Sequence, residues 1–79
     1  MRQRLKQLMA LTFGVSAREV PDDAAAADFP RWNSLGHLEL MMAVEMEFRI
    51  QIPSDQMQEL SSIGAIEDFV RAQDVAVEA

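Results

Sequence analysis

The segment from Ser34 to Phe48 is the clearest helix in the sequence, because its apolar residues recur at helical spacing and Pro53 is the first residue to stop it. On a wheel of about 100° per residue it has two apolar faces. The first face, predicted to point into the core, consists of His37, Leu40, Met41, Val44 and Phe48. The second lies opposite and consists of Leu35, Leu38, Met42 and Met46. Opposite sides of one helix cannot face the same core, so only one of the two faces can be the core face.

A long connection precedes this helix, and another helix precedes the connection. Apolar residues at i, i+3, i+4, i+7 and i+8 predict a helix from Arg2 to Phe13, and Gly14 suits its left-handed end. Residues 14–33 have no long periodic stretch, although Ser16 and Glu19 have capping-box spacing for one short turn. Four apolar residues can hold this loop against the core, namely Val15, Val20, Phe29 and Trp32.

Two further helices are predicted after Pro53. A short one covers about Asp55–Leu60 with Ser54 as its cap, and a longer one covers about Ile63–Gln73 with Ser61 or Ser62 as its cap. Residues 74–79 are expected to fray. No useful length of sequence alternates with period two. We therefore expect an all-α fold, a bundle of three main helices plus one short helix, formed by a single domain over residues 1–79.

Composition excludes several classes of protein. The 79 residues suffice for one small core. With no cysteine the chain can form no disulfide and no thiolate zinc site, and the single histidine argues against a structural metal site. Thirteen acidic residues against seven basic ones give a net charge of −6, which predicts no nucleic-acid binding. No apolar stretch approaches the length needed to span a bilayer, and no signal peptide is visible. We therefore predict no membrane insertion. We expect a cytoplasmic protein that acts as a monomer.

The second apolar face of the long helix is interpreted as a docking surface for other proteins, because Glu39 and Glu45 flank it. The alternative is that the long loop or the third helix covers it. Four methionines lie on the second and third predicted helices. They either fill the core or adapt to a variable apolar guest between these two helices. These methionines are Met41, Met42, Met46 and Met57.

The start of the long helix carries two residues that can cap it, Asn33 and Ser34, and only one is needed. If Asn33 is the cap, the Ser34 hydroxyl points outward at the positive end of the helix dipole, where a phosphate ester would be stabilised. The alternative is that Ser34 is only a cap. Catalysis by Ser34 is not supported, because His37 is the only base near it in sequence. His37 is expected to bond near Trp32 or to line the core.

Four motifs follow one another along the chain, namely Asn33-Ser34-Leu35, Leu38-Glu39-Leu40, Ala43-Val44-Glu45-Met46-Glu47-Phe48 and Ile50-Gln51-Ile52-Pro53. Together they resemble the acyl carrier protein family. The family pattern is Asp-Ser-Leu, then a helix rich in Leu, Met and Glu that ends in Glu-Phe, then Ile-x-Ile-Pro. The resemblance extends over nearly the whole chain. Each motif alone is weak, and their order and the total length together make the resemblance strong.

The resemblance implies a non-catalytic carrier without metal. Ser34 would hold 4'-phosphopantetheine, derived from coenzyme A, whose thiol carries acyl groups as thioesters in fatty-acid, polyketide or related biosynthesis. The implied partners are a phosphopantetheinyl transferase, an acyl-loading ligase or acyltransferase, and synthase enzymes. The implied docking residues are Leu35, Leu38, Glu39, Met42, Glu45 and Met46. Two alternatives stay open: an aminoacyl or peptidyl carrier loaded by an adenylating enzyme, and an unmodified helical adaptor.

Four positions depart from the family pattern. Asn33 replaces the usual Asp beside the serine, Gly36 stands where an acid is frequent, and Met46 stands where Glu is common. These three changes are interpreted as a recognition surface that is less acidic and more apolar, suited to a dedicated set of partners rather than the general fatty-acid synthase. The fourth is Trp32, which is expected either to pack over the loop and the first turn of the helix or to contact the arm.

Overall fold

The computed structural model describes the backbone of residues 1–78 and the side chains of residues 1–73. The expected all-α fold is confirmed, since these residues form four helices and no strand. The helices are α1 (Arg2–Phe13), α2 (Ser34–Phe48), α3 (Ser54–Met57) and α4 (Ile63–Glu78). Two short 3-10 turns lie in the long connection between α1 and α2, at Ala17–Glu19 and Ala26–Asp28. The bounds predicted for α1 and α2 are confirmed.

The third helix is shorter than predicted and begins one residue earlier. Its N-terminal boundary residue is Pro53, so the prediction that Ser54 caps it is wrong. After Met57 the chain turns more tightly, because the Leu60 N–H donates to the Met57 carbonyl only three residues back, at 3.2 Å. This turn directs Leu60 into the core, where it is 6% exposed. Burial of one apolar residue thus ends a helix that the pattern alone would have continued.

The fourth helix is longer than predicted. Of the two candidate caps, Ser62 takes the role, because its Oγ accepts a hydrogen bond from the Ala65 N–H at 3.1 Å. The helix continues to Glu78, beyond the predicted end at Gln73. The prediction that residues 74–79 fray lies outside the described residues. The side chains of residues 74–78 and the whole of residue 79 are not among them.

Two helices end in a residue with left-handed backbone. Gly14 has φ 71° and ends α1 as predicted, with its N–H bonded to the Ala10 carbonyl. Arg49 has φ 55° and ends α2, with its N–H bonded to the Glu45 carbonyl. Glycine adopts this conformation without strain, whereas arginine does not. No local feature around Arg49 predicts this conformation.

The core forms where α1, α2 and α4 meet. Leu40, Met41 and Val44 of α2 are fully buried, which confirms the central part of its predicted core face, while His37 and Phe48 at the two ends are half-buried. The other helices contribute Leu5, Met9 and Phe13 from α1 and Ile63, Ile66 and Val70 from α4. Helices α1 and α2 run in opposite directions, since Arg4 near the start of α1 pairs with Glu47 near the end of α2, Nη1 to Oε2, at 2.6 Å.

The long connection is held to this core as predicted. Val20 and Trp32 are buried, while Val15 and Phe29 are partly buried against the core. Backbone hydrogen bonds add a second attachment at the start of α4. The Ala26 N–H donates to the Ser61 carbonyl and the Ile63 N–H donates to the Ala24 carbonyl, each at 2.9 Å.

An ion-pair network joins α1, α4 and the loop at the far end of the bundle. The Arg2 guanidinium donates to both carboxylate oxygens of Glu67, at 3.2 and 3.0 Å, and to the Asp22 carbonyl at 3.1 Å. Lys6 pairs with the Asp22 carboxylate at 2.6 Å. The hydrogen bonds from Arg2 lower the pKa of Glu67, although its burial acts in the opposite direction. The hydrogen bond from Lys6 lowers the pKa of Asp22.

The lowered pKa of Glu67 predicts a specific loss of stability in acid. A carboxyl group whose pKa is lower in the folded state stabilises the fold above its unfolded pKa, and this stabilisation is lost as pH falls through the folded pKa. Glu67→Gln is therefore expected to lower stability at pH 7 by about 1 kcal/mol. Between pH 7 and pH 3 its melting temperature should fall less steeply than that of the wild type, as followed by circular dichroism.

The matched control for this titration is Glu59→Gln, because Glu59 is exposed and forms none of the ion pairs in the described part of the chain. It is expected to follow the wild-type curve. If Glu67→Gln also follows the wild-type curve between pH 7 and pH 3, the network does not contribute to acid sensitivity.

Candidate functional site

Ser34 lies at the first helical position of α2, and Asn33 before it is the cap. The Asn33 Oδ1 accepts a hydrogen bond from the Gly36 N–H at 2.9 Å, and the Asn33 carbonyl accepts one from the His37 N–H at 2.7 Å. The Asn33 side chain thus caps α2. Ser34 is exposed, and its hydroxyl is not needed to cap the helix.

The start of α2 favours a negative group at this position. The N–H groups of Ser34 and Leu35 have no partner within the helix, since the first such bond runs from His37 to Asn33. The first turn of α2 contains no acidic residue that would repel an anion. A helix of 15 residues adds the positive end of its dipole, which stabilises an anion by about 0.3–1 kcal/mol.

The second apolar face of α2 is open to solvent along its whole length. We name it the outer strip, and its members are Leu35, Leu38, Met42 and Met46, which are 66%, 48%, 52% and 80% exposed. The alternative that the loop or α3 covers it is wrong. Of the four methionines that could have adapted to a guest, Met42 and Met46 therefore lie outside the bundle. Met41 is fully buried and Met57 is partly buried against the core.

The two acids that flank the outer strip have different surroundings. Glu39 is exposed. Glu45 is half-buried, and its Oε2 accepts a hydrogen bond from the Ile52 N–H at 2.8 Å. That bond fixes the segment that leaves α2, and Ile52 is buried in the core at 4% exposure. Glu45 therefore has a structural contact that the sequence pattern did not reveal.

Gly36 is buried beneath a crossing of the backbone and does not belong to the outer surface. A Cβ atom at this position would lie 1.9 Å from the Arg31 carbonyl oxygen and 3.4 Å from Cε1 of Phe13. The loop before α2 therefore passes directly over the first turn of the helix. The interpretation that Gly36 makes the recognition surface less acidic is wrong, because packing accounts for this glycine. Asn33 and Met46, the other two departures on that surface, are exposed.

Trp32 packs inside the protein, as the first of its two expected roles requires. It is 5% exposed, and its ring stacks on Phe13 with centroids 5.1 Å apart. The Trp32 Nε1–H donates to Nδ1 of His37 at 2.9 Å, so the first of the two alternatives for His37, a bond near Trp32, is the one observed. Nε2 of His37 lies 2.6 Å from the Met57 carbonyl oxygen. Since Nδ1 accepts, Nε2 carries the hydrogen and donates it to that carbonyl.

This arrangement leaves both ring nitrogens of His37 engaged, although His37 lies one turn along the helix from Ser34. The sequence suggested the bond to Trp32 and missed the one to Met57, which is 20 residues away. No local signal could have found that partner, because it is a backbone carbonyl at the end of another helix. In the described residues no three His, Asp or Glu side chains are grouped so that they could hold a metal ion.

Comparison with known proteins decides the family. Residues 3–70 match the family model described as "Phosphopantetheine attachment site". The chain is also 30% identical, over 70 residues, to the "Acyl carrier protein" of Clostridium acetobutylicum, a match that covers 89% of this chain and 91% of that protein. The chain belongs to the acyl carrier protein family. Its members carry covalently attached 4'-phosphopantetheine and serve as carriers for acyl groups.

The site fits the group that acyl carrier proteins hold. Ser34 is exposed, so its hydroxyl could receive the ester bond, and the N–H groups of Ser34 and Leu35 have no partner within the helix, so they would be free to bind a phosphodiester. Asn33 satisfies the Gly36 N–H, so capping at that position does not depend on a bound anion. In the described part of this carrier no helix combines the length and apolar character needed to cross a bilayer.

Proposed function

We propose that the Ser34 hydroxyl receives 4'-phosphopantetheine from coenzyme A and that the protein presents acyl thioesters to partner enzymes in the cytoplasm. The biosynthesis served is that of fatty acids, polyketides or related metabolites. The observation that carries this proposal is the division of roles at the start of α2, where Asn33 caps the helix and Ser34 stays exposed. When bound, the group supplies a thiol on a long flexible arm, which raises the local concentration of cargo at each partner.

The outer strip would be the surface on which partners dock. Its apolar side chains begin one residue after Ser34, so an enzyme bound there would have its active site within reach of the arm. The proposed contacts are Leu35, Leu38, Glu39, Met42, Glu45 and Met46, of which Glu39 offers a free charge to orient the partner. The proposed partners are a phosphopantetheinyl transferase, an acyl-loading ligase or acyltransferase, and synthase enzymes. A small surface of this kind gives the weak binding that exchange between partners requires.

The chain would perform no chemistry of its own. A serine nucleophile needs a base to accept its proton, and His37 is the only imidazole in the sequence. Its Nδ1 accepts from Trp32 and its Nε2 donates to Met57, so neither nitrogen is available to Ser34. These two hydrogen bonds favour a carrier over an enzyme.

Loading with coenzyme A tests the proposal directly. After incubation with coenzyme A and a broad-specificity phosphopantetheinyl transferase, intact-mass spectrometry is expected to show the gain of one phosphopantetheinyl group. Ser34→Ala should abolish the gain, because no other hydroxyl lies at the start of α2. The matched control is Ser54→Ala, which removes an exposed serine from the first position of α3 and should load fully.

The rate of loading in the same assay tests the outer strip as the docking surface. Leu38→Glu places a charge in the outer strip and is expected to slow loading about tenfold. Leu11→Glu changes an exposed leucine of α1 outside the strip, at 83% exposure, and is expected to load at the wild-type rate. No mass gain with several transferases would overturn the carrier and leave the protein as an unmodified adaptor.

A further inference from the structure

We propose that Trp32 and His37 close the interior of the bundle beside Ser34, so that this carrier takes short or polar acyl groups that remain outside the protein. The inference rests on the proposed function of Ser34 and specifies the class of cargo. In this proposal His37 is a positioning residue, since it touches neither the arm nor the acyl group. It acts by holding the Trp32 indole and the end of α3 in place.

The interior nearest Ser34 is already filled with aromatic rings. The Trp32 indole stacks on Phe13 at 5.1 Å between centroids, and the Phe29 ring lies 5.6 Å from that of Phe13. This group sits under the first turn of α2, because Phe13 Cε1 would lie 3.4 Å from a Cβ at Gly36. An apolar chain tethered to Ser34 would meet these rings first on its way inward.

The gap between α2 and α3 is closed by what we name the His37 bridge, the two hydrogen bonds from Trp32 to His37 and from His37 to the Met57 carbonyl. Their lengths are 2.9 and 2.6 Å. The bridge links three segments: the loop that ends at Trp32, the first turns of α2, and the end of α3. Separating α2 from α3 therefore requires breaking a bond to the imidazole and leaving a polar group without its partner in a part-buried site.

This geometry discriminates between cargoes by their length and polarity. Each methylene that enters an apolar interior adds a small gain, whereas the cost of moving the indole and breaking the bridge is incurred in full before the first methylene is buried. A short acyl group cannot offset that cost, and a polar one, such as an aminoacyl group, gains nothing from entering. A long apolar group would also have to displace the stacked Phe13 and Phe29 rings, so it too would stay in solvent and leave its apolar chain exposed. The carrier therefore suits acyl groups that lose little by remaining in solvent, accessible to the partner enzyme.

Chain-length dependence tests this inference. The holo protein is prepared with acetyl, octanoyl and dodecanoyl groups on the arm, and two quantities are measured: the melting temperature and the rate at which hydroxylamine cleaves the thioester. For the wild type both are expected to be the same for the three cargoes. For His37→Ala the melting temperature should rise with chain length, and cleavage of the dodecanoyl thioester should slow about fivefold or more relative to acetyl.

Two variants separate positioning from general packing. His37→Gln keeps one acceptor for the Trp32 N–H and one donor for the Met57 carbonyl, so it is expected to restore the wild-type behaviour. Trp32→Phe keeps an aromatic ring and removes the N–H donor, and it replaces His37→Ala as the test if that variant does not fold. The matched control is Leu5→Ala, which opens the core eight residues before Phe13, about 12 Å along α1, and should show no chain-length dependence.

The bridge can also be measured without any cargo. In the apo protein, nitrogen NMR is expected to show the hydrogen of His37 on Nε2, and the Trp32 indole N–H should exchange at least tenfold more slowly than that of free tryptophan. Unprotected exchange would overturn the inference whether or not Ser34 is loaded. So would a wild-type protein that stabilises and protects dodecanoyl cargo, or a His37→Ala variant without chain-length dependence. Absence of loading, in contrast, would be a failure of the proposed function.

Discussion

Gly36→Ala is expected to destabilise the protein by about 2 kcal/mol, whereas Gly64→Ala is expected to stabilise it by about 0.5 kcal/mol. Both glycines lie in helices with ordinary helical φ, so alanine is acceptable to the backbone at both sites. The difference is steric. A Cβ at Gly36 would lie 1.9 Å from the Arg31 carbonyl oxygen, and backbone cannot yield as a side chain can, whereas a Cβ at Gly64 has nothing within 4 Å.

Thermal unfolding of the two alanine variants measures this difference. In a domain of this size 1 kcal/mol shifts the melting temperature by about 4–8 °C, so Gly36→Ala should melt about 10 °C below the wild type and Gly64→Ala slightly above it. Each variant is the other's control, because the chemical change is the same. Equal melting temperatures for Gly36→Ala and the wild type would contradict the close crossing of the loop over α2.

Trp32→Ala is expected to destabilise the protein by about 3–5 kcal/mol. The indole is 5% exposed, so its removal leaves a cavity against Phe13 and Phe29. It also removes the donor to Nδ1 of His37 and leaves that atom without its partner. Because the total stability of a domain of this size is about 4–12 kcal/mol, this loss is a large part of it.

Urea denaturation of Trp32→Ala, Trp32→Phe and Leu11→Ala separates the contributions. Trp32→Phe keeps most of the apolar volume and is expected to cost about 1–2 kcal/mol, chiefly through the lost hydrogen bond. Leu11→Ala truncates an exposed apolar residue and should stay within about 0.5 kcal/mol of the wild type. A cost below about 1 kcal/mol for Trp32→Ala would show that the aromatic group is not tightly packed.

Much of the fold followed from short-range patterns. The bounds of α1 and α2 were predicted because apolar spacing, a terminal glycine and a capping residue all lie within a few residues of each helix end. The exposed serine followed for the same reason, since the Asn33 side chain caps a backbone N–H only three residues away. The resemblance to acyl carrier proteins then indicated what such a serine does.

Errors arose where a contact between distant segments took precedence over the local pattern. The short third helix ended early because Leu60 turns into the core, and Gly36 proved to be a packing residue because the Arg31 backbone crosses it. The sequence pattern also did not predict the hydrogen bonds from Ile52 to Glu45 and from His37 to Met57. Each joins side-chain and backbone groups whose proximity depends on how the loops are placed.

The order of residues, read alone, predicted a helical chain that resembles acyl carrier proteins, with two candidate caps at the start of its second helix and a second apolar face on that helix. Periodicity and capping act within a turn or two, so they can be read without a fold. Only the packed molecule decided that the second face is uncovered and that aromatic rings pack beneath the first turn of that helix. Those facts depend on which surfaces remain after all the helices have buried their apolar sides, and that is a property of the whole chain.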